Sequence, residues 1–152
     1  MRDIKYRKTT KDDLEILMNI RFEMLREVNH LPKEYEFDEA FIQESRTYFE
    51  DGLQTTVVAF DGEKAVGCAS ISYIWIMPTF AHPTGKRAHL MNVYTREDHR
   101  RMGISKKMVE LLIDEAKQNG ATEISLDATE MGRPLYESLG FVASDSAMVK
   151  VL

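Results

Sequence analysis

MNVYTREDHRRMGISKKMVELLIDEAKQ, residues 91–118, predicts a strand, a basic turn with one glycine and a long amphipathic helix. In residues 91–95, Met, Val and Thr alternate with Asn and Tyr, a pattern and a set of residue types that suit a pleated strand. One apolar helical face then recurs at Ile104, Met108, Leu111 and Leu112. Asn119-Gly120 predicts the end of this helix.

The turn between that strand and that helix predicts an anion site. The first amides of a helix have no internal partner and lie at the positive end of its dipole, so they suit a pyrophosphate. Gly103 would let such a ligand approach the backbone closely. Four cations add positive charge nearby: Arg100, Arg101, Lys106 and Lys107.

Length and composition limit the class of protein. A chain of 152 residues predicts one domain, residues 1–152, with a substantial core. The net charge of -5 argues against a general nucleic-acid binder. The absence of a long apolar run and of a secretion signal predicts a cytoplasmic protein without a membrane partner. Cys68, the single cysteine, excludes an internal disulfide and a cysteine-rich metal site, and between two small residues it is expected in the core.

The N-terminal half predicts a short strand at residues 4–8 and two helices. The inward face of the first helix is formed by Leu14, Leu17, Met18, Leu25 and Val28, and Arg21 falls in the middle of it. Either the Arg21 stem packs while its head reaches water, or the cation points into a substrate cleft and holds a carboxylate. Asp38 predicts the start of the second helix, which ends at Asp51-Gly52.

The rest of the chain is rich in strands. Residues 54–60 and 64–76 are predicted to be antiparallel, because Asp-Gly-Glu between them favours a hairpin. Another strand is expected at residues 123–128 and a short helix from Pro134 to Gly140. Residues 141–143 and 147–151 are predicted as a final pair of short strands.

Two motifs resemble those of the Gcn5-related N-acetyltransferase (GNAT) family. Arg100-x-x-Gly103-x-Ser105 is similar to the acetyl-CoA motif Gln/Arg-x-x-Gly-x-Gly/Ala, with a small-for-small departure at Ser105. Leu135-Tyr136-x-x-x-Gly140-Phe141 is similar to the second motif, Leu-Tyr-x-x-x-Gly-Phe. An asparagine that often precedes the second motif is absent, so any CoA contact it makes is not expected here.

The resemblance covers the whole chain and implies an α/β (α+β) fold. The expected architecture is a mixed, mostly antiparallel sheet of six to seven strands flanked by four helices. In the family, the first two helices and their connection cover the acceptor, so His30, Tyr35 and Phe41 either line that pocket or simply pack. Dimers are common in the family, which makes a homodimer one expectation.

The resemblance also implies acetyl-CoA as co-substrate, with no metal. Pantetheine would pair with the backbone of Val93, Tyr94 and Thr95. Pyrophosphate would bind the turn and helix start, formed by Arg100, Arg101, Met102, Gly103, Ile104, Ser105 and Lys106.

By resemblance, Tyr136 is the general acid, because a tyrosine in this position lies near the thioester sulfur. A thiolate leaves with a pKa near that of cysteine, about 8.5, whereas a phenol keeps its proton to about pH 10. The base is open. In several family members the base is a carboxylate on the central strand, before the acetyl-CoA motif. The matching position in this chain is His89, which is either a base or a histidine without a catalytic role. Other members use water alone, which Asn92 would anchor.

The sequence thus predicts transfer of an acetyl group from acetyl-CoA to a primary amine of a small molecule or peptide, by direct attack in a ternary complex. A non-catalytic acyl-CoA sensor with the same fold is the alternative. A Rossmann-type binder is rejected, because one glycine cannot form Gly-x-Gly-x-x-Gly. Two features point to different acceptors. Arg21 favours an amine that carries a carboxylate, whereas the acidic net charge favours a cationic amine.

Overall fold

The computed structural model describes residues 3–152 and contains a five-stranded sheet in the order β1-β2-β3-β4-β5. The first four strands pair antiparallel and β5 pairs parallel with β4. The strands are β1 (Ile4–Lys8), β2 (Gln54–Asp61), β3 (Lys64–Trp75), β4 (Lys86–Thr95) and β5 (Ile124–Ser125). The helices are α1 (Leu14–Val28), α2 (Glu39–Asp51), α3 (Ile104–Gln118) and α4 (Arg133–Ser138).

Two apolar cores lie on opposite faces of this sheet. On one face α3 packs through Ile104, Met108 and Leu112 onto side chains of β2, β3 and β4. On the other face α1 and α2 pack onto alternate side chains of the same strands, including the buried Cys68. Because β2 and β3 are covered on both faces, each contains a continuous run without polar side chains, at residues 57–60 and 65–69.

The start of the first helical segment is fixed by a capping box. Thr10 precedes a single 3-10 turn that leads into α1, and its hydroxyl accepts the amide of Asp12. Asp13 returns a bond to the Thr10 amide at 2.8 Å and accepts both terminal nitrogens of Arg7 at 2.7 and 2.8 Å. Arg7 beside it lowers the pKa of the buried Asp13 carboxyl. This network anchors α1 against the edge strand β1.

The predicted α/β class and the mixed, mostly antiparallel sheet with four helices are confirmed, but the strand count is lower than predicted. Residues 141–143 and 147–151 are not strands, and β5 is two residues long where six were expected. The C-terminal residues alternate in type but are mostly exposed, so no packing partner selects the extended form. Val28 is also not inward-facing, because it is the last residue of α1 and 55% exposed.

The hairpin of β2 and β3, the ends of α2 and α3, and the burial of Cys68 match their predictions. Burial raises the pKa of the Cys68 thiol to about 12, as expected for an inert core residue. Within residues 3–152, no helix combines the length and apolar character needed to cross a membrane.

Candidate active site

A cleft opens where β4 and β5 diverge. β4 pairs with β3 along its length, but it pairs with β5 only at Ala88 and His89. The backbone of residues 90–95 therefore has no strand partner on the β5 side. An unpaired strand edge is a template for an extended ligand that carries amides. Val93, Tyr94 and Thr95, the predicted pantetheine-binding residues, lie at the far end of this edge.

A β-bulge at Asn92 divides β4 into two halves. The register runs from Cys68↔Tyr94 to Ser70↔Met91, so β4 carries one more residue than β3 there, and Asn92 has a φ of 60°. Before the bulge, Leu90 packs toward α3 while Met91 faces the α1–α2 side. After it, Val93 packs toward α3 and Tyr94 toward α1. His89 and Met91 therefore lie on the opposite face of β4 from Val93, because the extra residue reverses the alternation.

The turn after β4 leaves the start of α3 open. Arg101 and Gly103 both have left-handed backbones, with φ of 64° and 75°. No side chain caps α3, whose first internal bond runs from the Lys107 amide to the Gly103 carbonyl. The amides of Ile104, Ser105 and Lys106 therefore point out of the helix without a partner inside it. A Cβ at Gly103 would meet no atom within 4 Å, so the space above the turn is open. These features suit a diphosphate.

The basic cluster of the turn has two parts. Arg96 forms a two-point bond to Glu23 at 2.8 and 2.6 Å, and Arg100 donates to Glu27 at 2.6 Å and to the Thr95 carbonyl at 2.9 Å. Glu23 and Glu27 lie one turn apart on α1, so these arginines tie the turn to α1. Arg100 was predicted to add charge for the ligand, but Glu27 largely neutralises its head group.

The remaining residues of the turn and helix start differ in exposure and in their contacts. Arg101 and Lys106 are exposed and form no ion pair with any residue from 3 to 152. Met102 is 42% exposed, whereas the Ile104 side chain is in the core. Ser105 bonds Thr95 Oγ1 at 2.7 Å and so joins the helix start to the end of β4. Arg101 and Lys106 thus supply the accessible charge, and Ser105 positions the turn.

His99 was not singled out from the sequence, yet it is the buried anchor of the turn. Its ring nitrogens lie 2.7 Å from Asp98 Oδ1 and 2.9 Å from Asp61 Oδ2, and the residue is 4% exposed. The contact joins the turn to the end of β2. Only the tertiary fold brings Asp61 to His99, so the signal in the sequence is limited to Asp98-His99.

The second motif is explained by the end of α4. Gly140, with a φ of 93°, and Phe141 donate to the carbonyls of Glu137 and Tyr136, which is the hydrogen-bond pattern of a Schellman cap. The Phe141 ring packs edge-on against Tyr136, with ring centroids 5.9 Å apart. Glycine and phenylalanine therefore end the helix and fix the tyrosine ring. At the other end, Thr129 Oγ1 accepts the Gly132 amide at 3.1 Å.

Tyr136 and His89 line one cavity of about 680 Å³ beside β5. Burial raises the pKa of the Tyr136 phenol, and the ring contacts the α3-side core. His89 Nδ1 lies 2.8 Å from Ser125 Oγ, and Nε2 lies 3.9 Å from Asp127 Oδ2. The structure thus brings together the two residues that were predicted as acid and base, at the edge where the strands separate. Their catalytic roles stay predictions.

A second cavity, of about 280 Å³, lies between α1, α2 and β4. Arg21 enters it from α1, Ser45 and Tyr48 from α2, Ser70 from β3, and Met91 and Asn92 from β4. Asn92 Oδ1 accepts Arg21 Nη1 at 3.2 Å, and Asn92 Nδ2 donates to Ser70 Oγ at 3.2 Å. Burial lowers the pKa of the Arg21 guanidinium. Of the two interpretations of Arg21, the structure favours the cation in a cleft.

The other residues expected near the acceptor, His30, Tyr35 and Phe41, do not line this cavity. Tyr35 and Phe41 belong to an aromatic cluster with Phe22 and Phe37 and do not line the second cavity. His30, at the end of α1, is exposed with a φ of 55°. Sequence reasoning missed Ser45, Tyr48 and Ser70. For Tyr48, the signal was its position three residues after Ser45 on the α2 face that carries Phe49.

Over residues 3–152, no three of the His, Cys, Asp and Glu side chains come together as a metal site would need. The fit to CoA rests instead on the open β4 edge, the uncapped helix start and the exposed Arg101 and Lys106. These elements run in one direction from the Tyr136 cavity to the basic turn. A thioester, a pantetheine arm and a diphosphate occur in the same order in acetyl-CoA.

Comparison with known proteins agrees with this geometry. Residues 17–141 match the model of the acetyltransferase (GNAT) family. A glucosamine 6-phosphate N-acetyltransferase of Arabidopsis thaliana is 28% identical over 76% of this chain and 74% of its own.

Solved structures give the same result. A protein from Clostridium acetobutylicum described as a predicted acetyltransferase, solved with acetyl-CoA, superposes with a TM-score of 0.84 at 26% identity over 98% of this chain and 96% of its own. A GCN5-related N-acetyltransferase of Ralstonia eutropha gives a TM-score of 0.81 at 25% identity over 99% of both chains. With two motifs, a splayed sheet and an open helix start in the order the cofactor requires, the chain belongs to the GNAT family, the acyltransferases that use acetyl-CoA.

Proposed function

We propose that the protein is an N-acetyltransferase that transfers the acetyl group of acetyl-CoA to a primary amine of a small molecule or peptide, by direct attack in a ternary complex. The observation that carries the proposal is the divergence of β4 from β5 between the open start of α3 and Tyr136. The relative named glucosamine 6-phosphate N-acetyltransferase supports a small-molecule acceptor. Location in the cytoplasm and assembly as a homodimer stay predictions.

Binding of the co-substrate is assigned mainly to backbone. Residues 93–95 would pair with the pantetheine amides, and the amides from Arg101 to Lys106 would hold the diphosphate. An anion at a helix start gains about 0.3–1 kcal/mol, and up to about 2 kcal/mol when partly buried. A micromolar dissociation constant needs about 8 kcal/mol, so the arm and the diphosphate must bind together.

The reaction requires two proton transfers. An amine with a lysine-like pKa of about 10.4 needs on the order of 4.6 kcal/mol to lose its proton at pH 7. His89 accepts that proton, or a water bound to Asn92 passes it to solvent. The amine nitrogen forms the new bond to the acetyl carbon as the carbon–sulfur bond breaks. Tyr136 then gives its proton to the departing thiolate, and a phenol whose pKa is raised by burial holds that proton at neutral pH.

The test is a turnover assay with acetyl-CoA and a panel of amines, amino acids, polyamines and peptides. Free thiol and a mass gain of one acetyl group on the amine should appear together. Tyr136→Phe should lower kcat by about 10²–10³-fold, since general acid catalysis contributes about 10²–10⁴-fold. Tyr35→Phe is the matched control, because Tyr35 lines neither cavity.

Two outcomes would contradict the proposal. Full activity of Tyr136→Phe would remove the acid role. Thermal stabilisation by CoA without acetylation of any amine in the panel would favour the acyl-CoA sensor instead.

A further inference from the structure

The cavity between α1, α2 and β4 contains a half-buried cation that is not paired with a carboxylate in the described part of the chain. In the described part of the chain, the only hydrogen bond of the Arg21 head group is the one to the neutral Asn92 amide, and no carboxylate pairs with it. By contrast, Arg7, Arg96 and Arg100 each contact a carboxylate. A guanidinium that is partly desolvated and lacks an anion is costly, so this position favours an anionic ligand.

The arginine is held in place rather than free to leave the cavity. Asn92 accepts from Arg21 and donates to Ser70, and Ser70 in turn bonds Thr56 Oγ1 at 2.7 Å in the core. Tyr48 is fixed beside it by a hydrogen bond to Ser72. The left-handed backbone of Asn92 directs its amide to Arg21. A preorganised guanidinium of this kind binds a carboxylate through two parallel bonds.

The charge and the size of the cavity limit the class of ligand that it can hold. Among the described residues that line the cavity, Arg21 is the cation and Glu44, exposed at the rim, is the carboxylate. One cation balances a carboxylate, whereas a phosphate dianion would leave excess negative charge beside Glu44. A volume of about 280 Å³ lies just below the range of small-molecule sites, which is about 300–1,000 Å³, so the ligand must be small. Phe49 and Met91 add apolar wall.

The position of the cavity suits an acceptor rather than a remote effector. Met91, in its wall, is the next residue after His89 on the same face of β4, and His89 lines the cavity that contains Tyr136. Two residues along a strand span about 6.8 Å. A molecule of amino-acid size held at Arg21 therefore reaches toward the point where the strands separate.

We propose that the acceptor is a small primary amine that also carries a carboxylate, an amino-acid-sized molecule whose carboxylate is bound by Arg21. The inference rests on the proposed acetyltransferase function and assigns its substrate class. Glu44, exposed at the rim, would attract the ammonium group of a zwitterion as it approaches the cavity.

The experiment compares matched pairs of acceptors in wild type and in Arg21→Met. Each pair is an amino acid and the amine left when its carboxylate is removed, such as leucine and 3-methylbutylamine. Wild type should show at least about a tenfold larger kcat/KM for the acid, a factor that corresponds to one charge-assisted contact. In Arg21→Met the ratio should fall to near one, through loss on the acid alone. Arg46→Met is the control, because Arg46 lies on α2 and pairs with Glu15 outside the cavity.

A further pair of acceptors tests phosphate against carboxylate. This pair is glucosamine 6-phosphate and glucosamine. A preference for the phosphate over every amino acid would overturn the carboxylate assignment, even if it depended on Arg21. Equal use of acids and amines by wild type, or equal loss of both in Arg21→Met, would overturn the role of Arg21.

Direct binding distinguishes failure of this inference from failure of the proposed function. Leucine at millimolar concentration should raise the Tm of wild type and of Arg46→Met but not that of Arg21→Met. If no amine is acetylated but this shift is seen, the proposed function fails and Arg21 still binds a carboxylate. If amines are acetylated and neither the shift nor the acid preference is seen, this inference fails and the function stands.

Discussion

The proposed cofactor side of the site is formed mainly by backbone groups, whereas the proposed acceptor side is formed by side chains. The cofactor side consists of the β4 edge and the first amides of α3, and its side chains mostly hold the turn in place. The acceptor side consists of side chains from α1, α2, β3 and β4, which are up to 71 residues apart where Arg21 meets Asn92. In the proposed site, cofactor binding depends on backbone geometry, whereas acceptor choice depends on a few side chains. Changes on one side should therefore leave the other unaffected.

The strongest test of this separation is Gly103→Ala. The Cβ would enter the space where the diphosphate is expected, at a φ of 75°. We expect KM for acetyl-CoA to rise by about tenfold or more, as for loss of about 1.4 kcal/mol, while the ratio of kcat/KM between acceptors stays constant.

Gly120→Ala is the matched control for that change. Gly120, after the other end of α3, has a φ of 78° and an equally open surrounding. Both variants should lose about 1–2 kcal/mol of unfolding free energy through the left-handed backbone, measured by urea denaturation. Equal KM values in the two variants would show that Gly103 has no role beyond its conformation.

The complementary change is Asn92→Gly, which keeps the left-handed backbone and removes the side chain that bonds Arg21 and Ser70. We expect KM for the acceptor to rise by about five- to tenfold, as for loss of one buried hydrogen bond of about 1–1.5 kcal/mol, with little change in KM for acetyl-CoA. Steady-state kinetics with each substrate varied in turn checks this. A rise confined to KM for acetyl-CoA would contradict the separation of the cofactor side from the acceptor side.

A smaller effect is expected from Lys106→Met on the cofactor side. Lys106 is exposed in the first turn of α3 and forms no ion pair with the rest of the described chain. Its loss should raise KM for acetyl-CoA by about two- to fivefold at low salt and by less at high salt, because exposed charges are screened. Lys117→Met, in the last turn of α3, should leave KM unchanged. A salt-independent change would point to packing rather than charge.

The smallest effect concerns pH. Tyr136 donates only while protonated, and burial raises its pKa above the ordinary value of about 10. Its contribution is therefore complete at neutral pH and is lost as pH rises through the higher value. We expect kcat to show no descending limb between pH 7 and about pH 9, with any rise in that range belonging to the base or the amine. A descending limb below pH 9 would contradict the assignment.

Local patterns were enough to predict much of the cofactor side. The period of the apolar residues gave α3, and Gly103 and Gly140 mark left-handed positions that their neighbours in sequence already indicate. The pairing of Arg100 with Glu27 was not predictable, because it depends on how α1 crosses the turn. The bulge at Asn92 was not predictable either, since strand alternation looks the same with and without an extra residue until β3 is laid beside it.

On the acceptor side, Arg21 and Asn92 were identified in advance, Asn92 through the family resemblance. Arg21 breaks an apolar helical face, which is visible in one helix alone. Tyr48 and Ser70 sit among residues of ordinary amphipathic and buried patterns, and only the packing of α2 against β3 makes them neighbours of Arg21. The C-terminal strands were predicted from residue types, but strand propensity without a packed face did not select that conformation.

The extra residue at Asn92 has an evolutionary consequence. Exchange of the side chain at Met91 would change the proposed acceptor cavity without disturbing the half of the strand that is proposed to bind acetyl-CoA. Deletion of one residue between Leu90 and Val93 would instead turn Leu90 and Ala88 outward or rotate the turn away from α3. Descendants of this chain should therefore differ in the exposed side chains of β4 but not in the length of the strand. New specificities should arise there by substitution and not by insertion or deletion.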